Sequence, residues 1–453
     1  MLQLPSVAIE NLHLLSAVEA ARLIREGAIT SEQLVASCLE RIAETDEQIQ
    51  AWAFLDPDYA LAQARAADEL RASGRPIGAL HGVPVAVKDI FDTADMPTER
   101  GSPLYSGRTP SDDSAVVARL RAAGTVILGK TVTTEFAFLT PGKTRNPHNP
   151  EHTPGGSSSG SAAAVAAGMA PLAVGSQTNG STIRPASFCG VVGFKPTHGV
   201  ISRSGMLQTS RTLDHVGLFA RTIDDIALIA EELAGHDEGD PDTRPRARIP
   251  FAATAAAEPP LPPMLAFVKT PMWERADDDT RAGFAELIET LGDRVEEVEL
   301  FHSAAEAWSW QRAIMEAEMA ANLEREYDKG RDMLSEGLRR QIERGREVRA
   351  VDYQRALSRV APLNESFAEL FEQRYDAILT PAAPGAAPRG LDTTGDPSFC
   401  TLWTYCGMPA ISLPLLANAD GLPIGVQLVG ARDADARLLR TAKWLAAKLA
   451  EAE

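Results

Sequence analysis

The segment from His152 to Gly199 constrains the fold of this chain more than any other. It reads HTPGGSSSGSAAAVAAGMAPLAVGSQTNGSTIRPASFCGVVGFKPTHG and is rich in Gly, Ser and Ala. Its centre, AAAVAAGMAPLAVG, is too apolar for a flexible linker, so we predict a buried helix flanked by tight Gly/Ser loops. A chain of 453 residues is long enough to bury such a helix, in one large α/β core or in two domains.

The residues upstream of this segment indicate an α/β fold. HGVPVAVKDIFD alternates as a strand does, with three valines on one face and Pro84, Ala86 and Lys88 on the other. DDSAVVARLRAAGTVILGKT then predicts a helix, a glycine turn and a second strand. This βαβ order favours a sheet covered by helices. Two further amphipathic helices are expected before residue 50, from capping boxes at Ser16 with Glu19 and at Thr30 with Gln33.

The second half of the chain divides by composition. Residues 235–263 are rich in proline and polar groups, which predicts an exposed connection. Residues 303–375 have helical spacing and many charges, so we expect a surface helical hairpin that either walls the active site or is a plain solvated face. Apolar strand-like runs follow, and a C-terminal helix is predicted to start near Asp433. We expect a single domain over residues 1–453, with its core at about 80–220.

Composition excludes several classes of protein. A net charge of -18 repels phosphate backbones, so nucleic acid is not an expected partner. No apolar run approaches the roughly 18 residues of a membrane-spanning helix. The N-terminus MLQLPSVAIENLHLL lacks the pattern of a signal peptide, which predicts a cytoplasmic location. The four cysteines are too irregularly spaced for a disulfide framework and are expected as buried thiols, with a Cys400–Cys406 pair as a minor alternative.

The Gly/Ser-rich segment resembles the signature of the amidase signature family. Matching elements run from HGVPVAVKD to TYCGMPAISLPLL and GLPIGVQLVG, so the resemblance covers nearly the whole chain. It implies the amidase signature fold, a central mixed twisted sheet covered on both faces by helices. It also implies a catalytic triad of Lys88, Ser157 and Ser181, in which the two serines are 24 positions apart as is usual in the family.

The chemistry of these three residue types agrees with the resemblance. A serine hydroxyl is a weak nucleophile at neutral pH and needs a base to take its proton. A lysine serves as that base only when it is neutral, and burial among apolar neighbours such as those of VPVAVK lowers a lysine pKa. In the family, the middle serine is held by a cis peptide and relays the proton. Here that serine is Ser157, between Ser181 and Lys88, and no cofactor is implied.

The resemblance also assigns an oxyanion hole to backbone N–H groups, here those of Thr178, Asn179, Gly180 and Ser181. Many members read GTDTGGSIR, whereas this chain reads GSQTNGSTIR: Gln177 replaces Asp, Asn179 replaces Gly, and Arg184 is displaced by one position. Arg184 is expected as a structural anchor. For the substrate pocket we predict Phe136, Gln177 and Ile183, and the apolar run EFAFLTPG hints at an apolar or aryl acyl group.

The predicted function is hydrolysis of linear carbon–nitrogen acyl bonds in a small amide, with carbamates (urethanes) and aryl esters also chemically open. The alternative is the glutamine-hydrolysing subunit of an aminoacyl-tRNA amidotransferase complex, and a catalytically silent binding protein is a third, disfavoured hypothesis. We predict no metal site: His148 and His152 have helical spacing, but they straddle Pro150. His198 and His215 are expected to be structural, and a homodimer is the default expectation.

Overall fold

The computed structural model describes residues 11–451. The first ten residues, which begin the N-terminal segment considered above for a signal peptide, lie outside that range. An eleven-stranded mixed sheet runs through the described residues in the order β1-β3-β2-β4-β6-β5-β10-β11-β9-β7-β8. The strands are β1 Trp52–Leu55, β2 Pro84–Lys88, β3 Val126–Thr131, β4 Leu172–Gln177, β5 Val192–Lys195, β6 His215–Ala220, β7 Leu265–Phe267, β8 Val295–Glu297, β9 Ala377–Pro381, β10 Ala410–Ala417 and β11 Pro423–Val429.

Helices flank this sheet, which confirms the predicted fold class. Their bounds are α1 Ala17–Glu26, α2 Ser31–Ile49, α3 Pro57–Ala72, α4 Ala115–Ala122, α5 Ser159–Ala166, α6 Ile183–Cys189, α7 Ile223–Leu233, α8 Phe251–Ala256, α9 Asp278–Leu291, α10 Ala307–Asn322, α11 Glu324–Gly330, α12 Glu336–Glu347, α13 Ala350–Ser358, α14 Val360–Gln373, α15 Ser398–Tyr405 and α16 Asp435–Ala450. The C-terminal helix thus starts two residues after the predicted position.

The two predicted N-terminal helices, α1 and α2, are both present. Thr30 and Gln33 form the full reciprocal capping box at the start of α2. At α1 only half of the predicted box forms: Ser16 accepts the backbone N–H of Glu19, but the Glu19 carboxylate bonds to Arg22 instead. An exposed arginine one turn along the helix competes successfully for that carboxylate.

The βαβ prediction is confirmed by β2, α4 and β3, because β2 and β3 pair in parallel. Strand β2 is buried on both faces. On its other side β2 pairs in parallel with β4. The Gly/Ser/Ala segment supplies both the buried helix α5 and strand β4. Of the apolar centre AAAVAAGMAPLAVG only the first part is helical, since α5 ends at Ala166 and Gly168 takes a left-handed conformation at φ 74° before the strand begins.

Two predictions for the second half of the chain need correction. The connection at 235–263 is not fully exposed, because α8 forms within it and buries Phe251 and Ala255 against α7 and α16. The region 303–375 is not a hairpin but five helices, α10 to α14. Four breaks divide a stretch whose charge pattern alone looks continuous, at Leu323, Arg331–Ser335, Val348–Arg349 and Arg359.

Two further predictions concern the state of the cysteines and membrane-spanning helices. All four cysteines are buried free thiols, so the minor alternative of a Cys400–Cys406 disulfide is wrong. Within residues 11–451, the helices include none with the length and apolar character needed to cross a bilayer.

Candidate active site

Three sequence-predicted residues lie at the ends of neighbouring elements. Lys88 ends β2, Ser157 lies two residues before the start of α5, and Ser181 lies in the loop after β4. Because β2 and β4 are adjacent parallel strands, their carboxyl ends meet at one edge of the sheet. There the Lys88 Nζ atom lies 2.7 Å from the Ser157 Oγ atom. The peptide between Gly156 and Ser157 is cis, as the family resemblance implies.

The environment of Lys88 favours the neutral amine. Its side chain is 0% exposed, on a strand whose neighbours are apolar. Burial holds the pKa of Lys88 well below its usual value, and the Asp214 carboxylate acts in the opposite direction with a smaller effect. Burial therefore favours the neutral form of the amine, which is the form that can accept a proton.

Ser176 is a contact of Lys88 that the sequence analysis missed. Its Oγ atom lies 2.9 Å from Lys88 Nζ, which also contacts Ser157. A neutral amine has two protons and one lone pair, so donation to Ser176 leaves the lone pair available to the Ser157 hydroxyl. Only the parallel pairing of β2 with β4, which places Ser176 beside Lys88, reveals this role.

We expect the Ser176→Ala variant to lose about 10-fold in kcat/KM, the equivalent of one ordinary hydrogen bond of about 1.4 kcal/mol. The Lys88 amine then has no partner that orients its lone pair. Ser176→Thr keeps the hydroxyl and is the matched control. Steady-state kinetics with one fixed amide substrate measure the effect, and full activity of Ser176→Ala would contradict the orienting role.

Residues 178–181 hold the predicted nucleophile, are called the nucleophile loop here, and face an open cavity. All four of these residues line this cavity of about 330 Å³. Within residues 11–451, no hydrogen bond uses the backbone N–H groups of these four residues. They are thus available to bind an oxygen atom in the cavity.

Gln177 and Ile183, predicted for the substrate pocket, lie beneath the nucleophile loop. The Gln177 Oε1 atom accepts the backbone N–H groups of Thr182 and Ile183 at 2.8 and 3.0 Å. The Ile183 side chain packs in the hydrophobic core. Neither residue lines the cavity, so the structure places both in support of the loop.

Phe136, the third residue predicted for the substrate pocket, is also buried. Its ring packs edge to face against Tyr105. The following residues Ala137, Phe138 and Leu139 line the cavity instead. Phe136 and Ala137 both have positive φ angles, 45° and 56°, and this turn separates the buried Phe136 ring from the cavity-lining side chains of Phe138 and Leu139. Alternation of residues along the sequence gives no sign of such a turn.

The cavity wall is mostly apolar. Besides the nucleophile loop, it is formed by the 137–139 turn, the loop before α15 and the helices α10 and α12. Part of the 303–375 region therefore walls the cavity. The contributing side chains include Phe138, Leu139, Met315, Met319, Pro397, Arg312, Glu316, Gln341 and Arg344. Arg344 is neutralised by Glu316 at 2.8 Å.

Arg184 has the anchoring role predicted for it. The guanidinium is buried, and its Nη2 atom donates to the Gly156 carbonyl at 2.7 Å and to Thr394 Oγ1 at 3.0 Å. Burial lowers the pKa of Arg184 to about 10. Arg184 thus ties the peptide that carries Ser157 to the loop before α15.

The histidines bond to the backbone. His148 Nε2 lies 3.0 Å from the Cys189 carbonyl and His152 Nδ1 lies 2.7 Å from the Ala387 carbonyl. His198 and His215 pack edge to face. Burial lowers the pKa of both of these rings, that of His198 to about 4. Within the described part of the chain, no cluster of three or more His, Cys, Asp or Glu side chains is arranged to hold a metal ion.

Comparison with known proteins places the chain among amidases. The family model Amidase matches residues 33–439. A subunit of the glutamyl-tRNA(Gln) amidotransferase of Symbiobacterium thermophilum is 36% identical, over 95% of this chain and 96% of that protein. The putative amidase AmiD of Mycobacterium tuberculosis is also 36% identical, over 94% of this chain and 92% of its own length.

A solved structure extends the similarity to the fold. The peptide amidase of Stenotrophomonas maltophilia superposes with a TM-score of 0.81 at 29% identity, covering 96% of this chain and 97% of that one. Since the family model and the relatives both span nearly the whole sequence, the chain belongs to the amidase family, enzymes that hydrolyse carbon–nitrogen bonds other than peptide bonds.

Proposed function

We propose that this protein is a serine hydrolase that cleaves a linear carbon–nitrogen acyl bond through an ester on Ser181. The observation that carries the proposal is the buried Lys88 amine, whose Nζ atom lies 2.7 Å from Ser157 Oγ. Ser181, the proposed nucleophile, lines the cavity. A buried base such as Lys88 is unnecessary for a binding protein, and an uncompensated buried lysine costs stability.

In the first step the Ser181 oxygen attacks the substrate carbonyl carbon and its proton passes to Ser157. Ser157 passes its own proton to the neutral Lys88 amine, which becomes an ammonium. The carbon–nitrogen bond then breaks, and the relay returns the proton to the departing amine. Each group thereby regains its starting state, apart from the acyl group on Ser181.

The developing oxyanion is stabilised by the backbone N–H groups of residues 178–181. Fixed donors stabilise this charge without reorganisation, and loss of one commonly costs about 10²–10³ in rate. In the second step water attacks the ester by the same relay, and the carboxylic acid leaves.

The cavity favours an acyl group with substantial apolar surface. Phe138, Leu139, Met315 and Met319 line it, and the Leu139 side chain is 49% exposed towards solvent. Burying apolar substrate surface there contributes roughly 25 cal/mol per Å². We expect aryl amides and aryl carbamates to be better substrates than short aliphatic amides.

The test is amine release by the purified chain alone from an aryl amide, an aryl carbamate, a short aliphatic amide and glutamine. We expect turnover of the aryl amide or carbamate with kcat/KM at least about 10-fold above that of the aliphatic amide, as roughly 60 Å² of extra apolar contact would give. The Ser181→Ala variant serves as the blank.

The similarity to the amidotransferase subunit of Symbiobacterium thermophilum supports an alternative function, which the same substrate panel tests. Turnover of glutamine alone, or of no compound on the panel, would contradict a self-sufficient hydrolase. It would favour a glutamine-hydrolysing amidotransferase component that needs its partners, as the name of that relative suggests.

A further inference from the structure

Three consecutive carbonyl groups of the nucleophile loop each accept a hydrogen bond from a group beyond the loop. Two of the donors are side chains of other helices, α10 and α15, and the third is a backbone amide of α6. The pairs are Gln311 Nε2 to the Thr178 carbonyl at 3.3 Å, Thr404 Oγ1 to the Asn179 carbonyl at 2.6 Å, and Arg184 N to the Gly180 carbonyl at 3.0 Å.

These bonds determine where the neighbouring N–H groups point. In a planar trans peptide the C=O and N–H bonds point in opposite directions. A carbonyl held by Thr404 therefore directs the Gly180 N–H away from Thr404, and a carbonyl held by Gln311 directs the Asn179 N–H away from Gln311. Neither Thr404 nor Gln311 lines the cavity, whereas Asn179 and Gly180 do.

Thr404 is itself held in one orientation. It is 0% exposed, and its hydroxyl oxygen accepts the Gln177 Nε2 amide at 2.9 Å. With that bond made, its single proton goes to the Asn179 carbonyl. Gln177 in turn bonds through Oε1 to the amides of Thr182 and Ile183, so Gln177 and Thr404 brace both sides of Ser181.

Helix α15, which carries Thr404, also holds the side chain of Asn179. Thr401, one turn before Thr404 on α15, donates to Asn179 Oδ1 at 2.8 Å. Gln177 and Asn179 are the two positions at which this chain replaces the usual Asp and Gly. Both replacements bond to α15, which links the altered loop to that helix.

We propose that Thr404 is a positioning residue of the oxyanion hole, aiming the Gly180 N–H at the oxyanion, and that Gln311 supports the Asn179 N–H in the same way. This assignment rests on the proposed acyl transfer to Ser181. Thr404 does not touch the substrate and acts only through the backbone of residues 179–180.

The test compares Thr404→Val with Thr404→Ser. Valine has nearly the shape of threonine but no hydroxyl, whereas serine keeps it. For Thr404→Val we expect kcat and kcat/KM to fall together by about 10- to 100-fold, with KM within twofold of wild type. This loss is smaller than the one expected when an oxyanion-hole donor is removed altogether, because the Gly180 N–H remains and is only less well oriented. Thr404→Ser should stay within about threefold of wild type in kcat, because the bond to Asn179 remains.

A second readout separates positioning from a general loss of structure. Phenylboronic acid forms a tetrahedral adduct with a reactive serine and imitates the oxyanion intermediate. Its affinity should weaken in parallel with kcat/KM in Thr404→Val, while KM for the substrate does not change. If Thr404→Val does not fold, as judged by circular dichroism, Gln311→Met tests whether a held carbonyl positions the oxyanion hole. It removes the 3.3 Å bond from Gln311 to the Thr178 carbonyl, with an expected loss of about 3- to 10-fold in kcat.

The outcomes separate this proposal from the one on which it rests. An inactive wild type, or an active Ser181→Ala variant, would overturn the acyl-enzyme proposal. An active wild type and a dead Ser181→Ala variant, together with wild-type kcat in folded Thr404→Val, would overturn only the role of Thr404. A rise in KM without a fall in kcat would also overturn it, because that pattern indicates lost substrate binding.

Discussion

The Ser181→Ala variant is expected to lose at least about 10⁴-fold in kcat while remaining folded. The change removes the only atom that forms the ester and leaves the relay from Ser157 to Lys88 without its proton source. Because Ser181 lines an open cavity and no hydrogen bond of its side chain is found within residues 11–451, the substitution should leave the thermal midpoint nearly unchanged. Amine release from an aryl amide measures the loss.

A direct observation of the ester complements this measurement. Mass spectrometry of wild type quenched during turnover of an activated aryl ester should show one acyl group, in the peptide that contains Ser181. Ser159 serves as the internal control for this labelling. It is a serine of the same Gly/Ser-rich segment, but its hydroxyl donates to the Val132 carbonyl, so the peptide that contains it should carry no acyl group. Acylation elsewhere, or residual turnover above about 1% in Ser181→Ala, would contradict the assignment.

The Lys88→Met variant is expected to lose about 10³- to 10⁴-fold in kcat/KM, because the proton of Ser181 then has no base to receive it. In wild type, kcat/KM should rise with pH along an acid limb and level off well below pH 10.5, since burial holds the pKa of Lys88 below that of an ordinary lysine. This limb should vanish in Lys88→Met, whose residual rate follows hydroxide concentration.

Whereas Lys88→Met is expected to lose activity, the same substitution should raise the stability of the fold. Between the lowered pKa and the ordinary value near 10.5, the unfolded chain binds a proton at Lys88 that the folded chain does not, so the free energy of unfolding rises with pH across this range. Methionine removes this cost, and Lys88→Met should therefore raise the thermal midpoint near pH 7 and flatten its dependence on pH.

Lys195→Met is the matched control for Lys88→Met. Lys195 is another fully buried lysine of the same sheet, and burial lowers its pKa to about 7. Its Nζ atom donates to the Met408 carbonyl rather than to a serine of the site. We expect Lys195→Met to change stability but to lose less than about 10-fold in kcat/KM. An equal loss in both variants would indicate that any buried lysine in the sheet is needed, and would contradict a specific base at Lys88.

The sequence alone determined the features that depend on neighbours along the chain. The strand of Lys88, the buried helix after Ser157 and the capping box at Thr30 follow from local periodicity and local hydrogen bonds. The candidate triad followed from three motifs whose order and spacing resemble one family, and this resemblance also implied the mixed sheet.

Tertiary structure decided the features that depend on residues far apart in the chain. Ser176 reaches Lys88 only because β2 and β4 are neighbours, and Thr404 and Gln311 reach the nucleophile loop from more than 130 positions away. Phe136 is buried whereas Phe138 lines the cavity, because a turn with positive φ angles at Phe136 and Ala137 lies between them. A hydrogen bond between side chain and distant carbonyl leaves no periodic trace in the sequence, because its geometry is set by how whole elements pack.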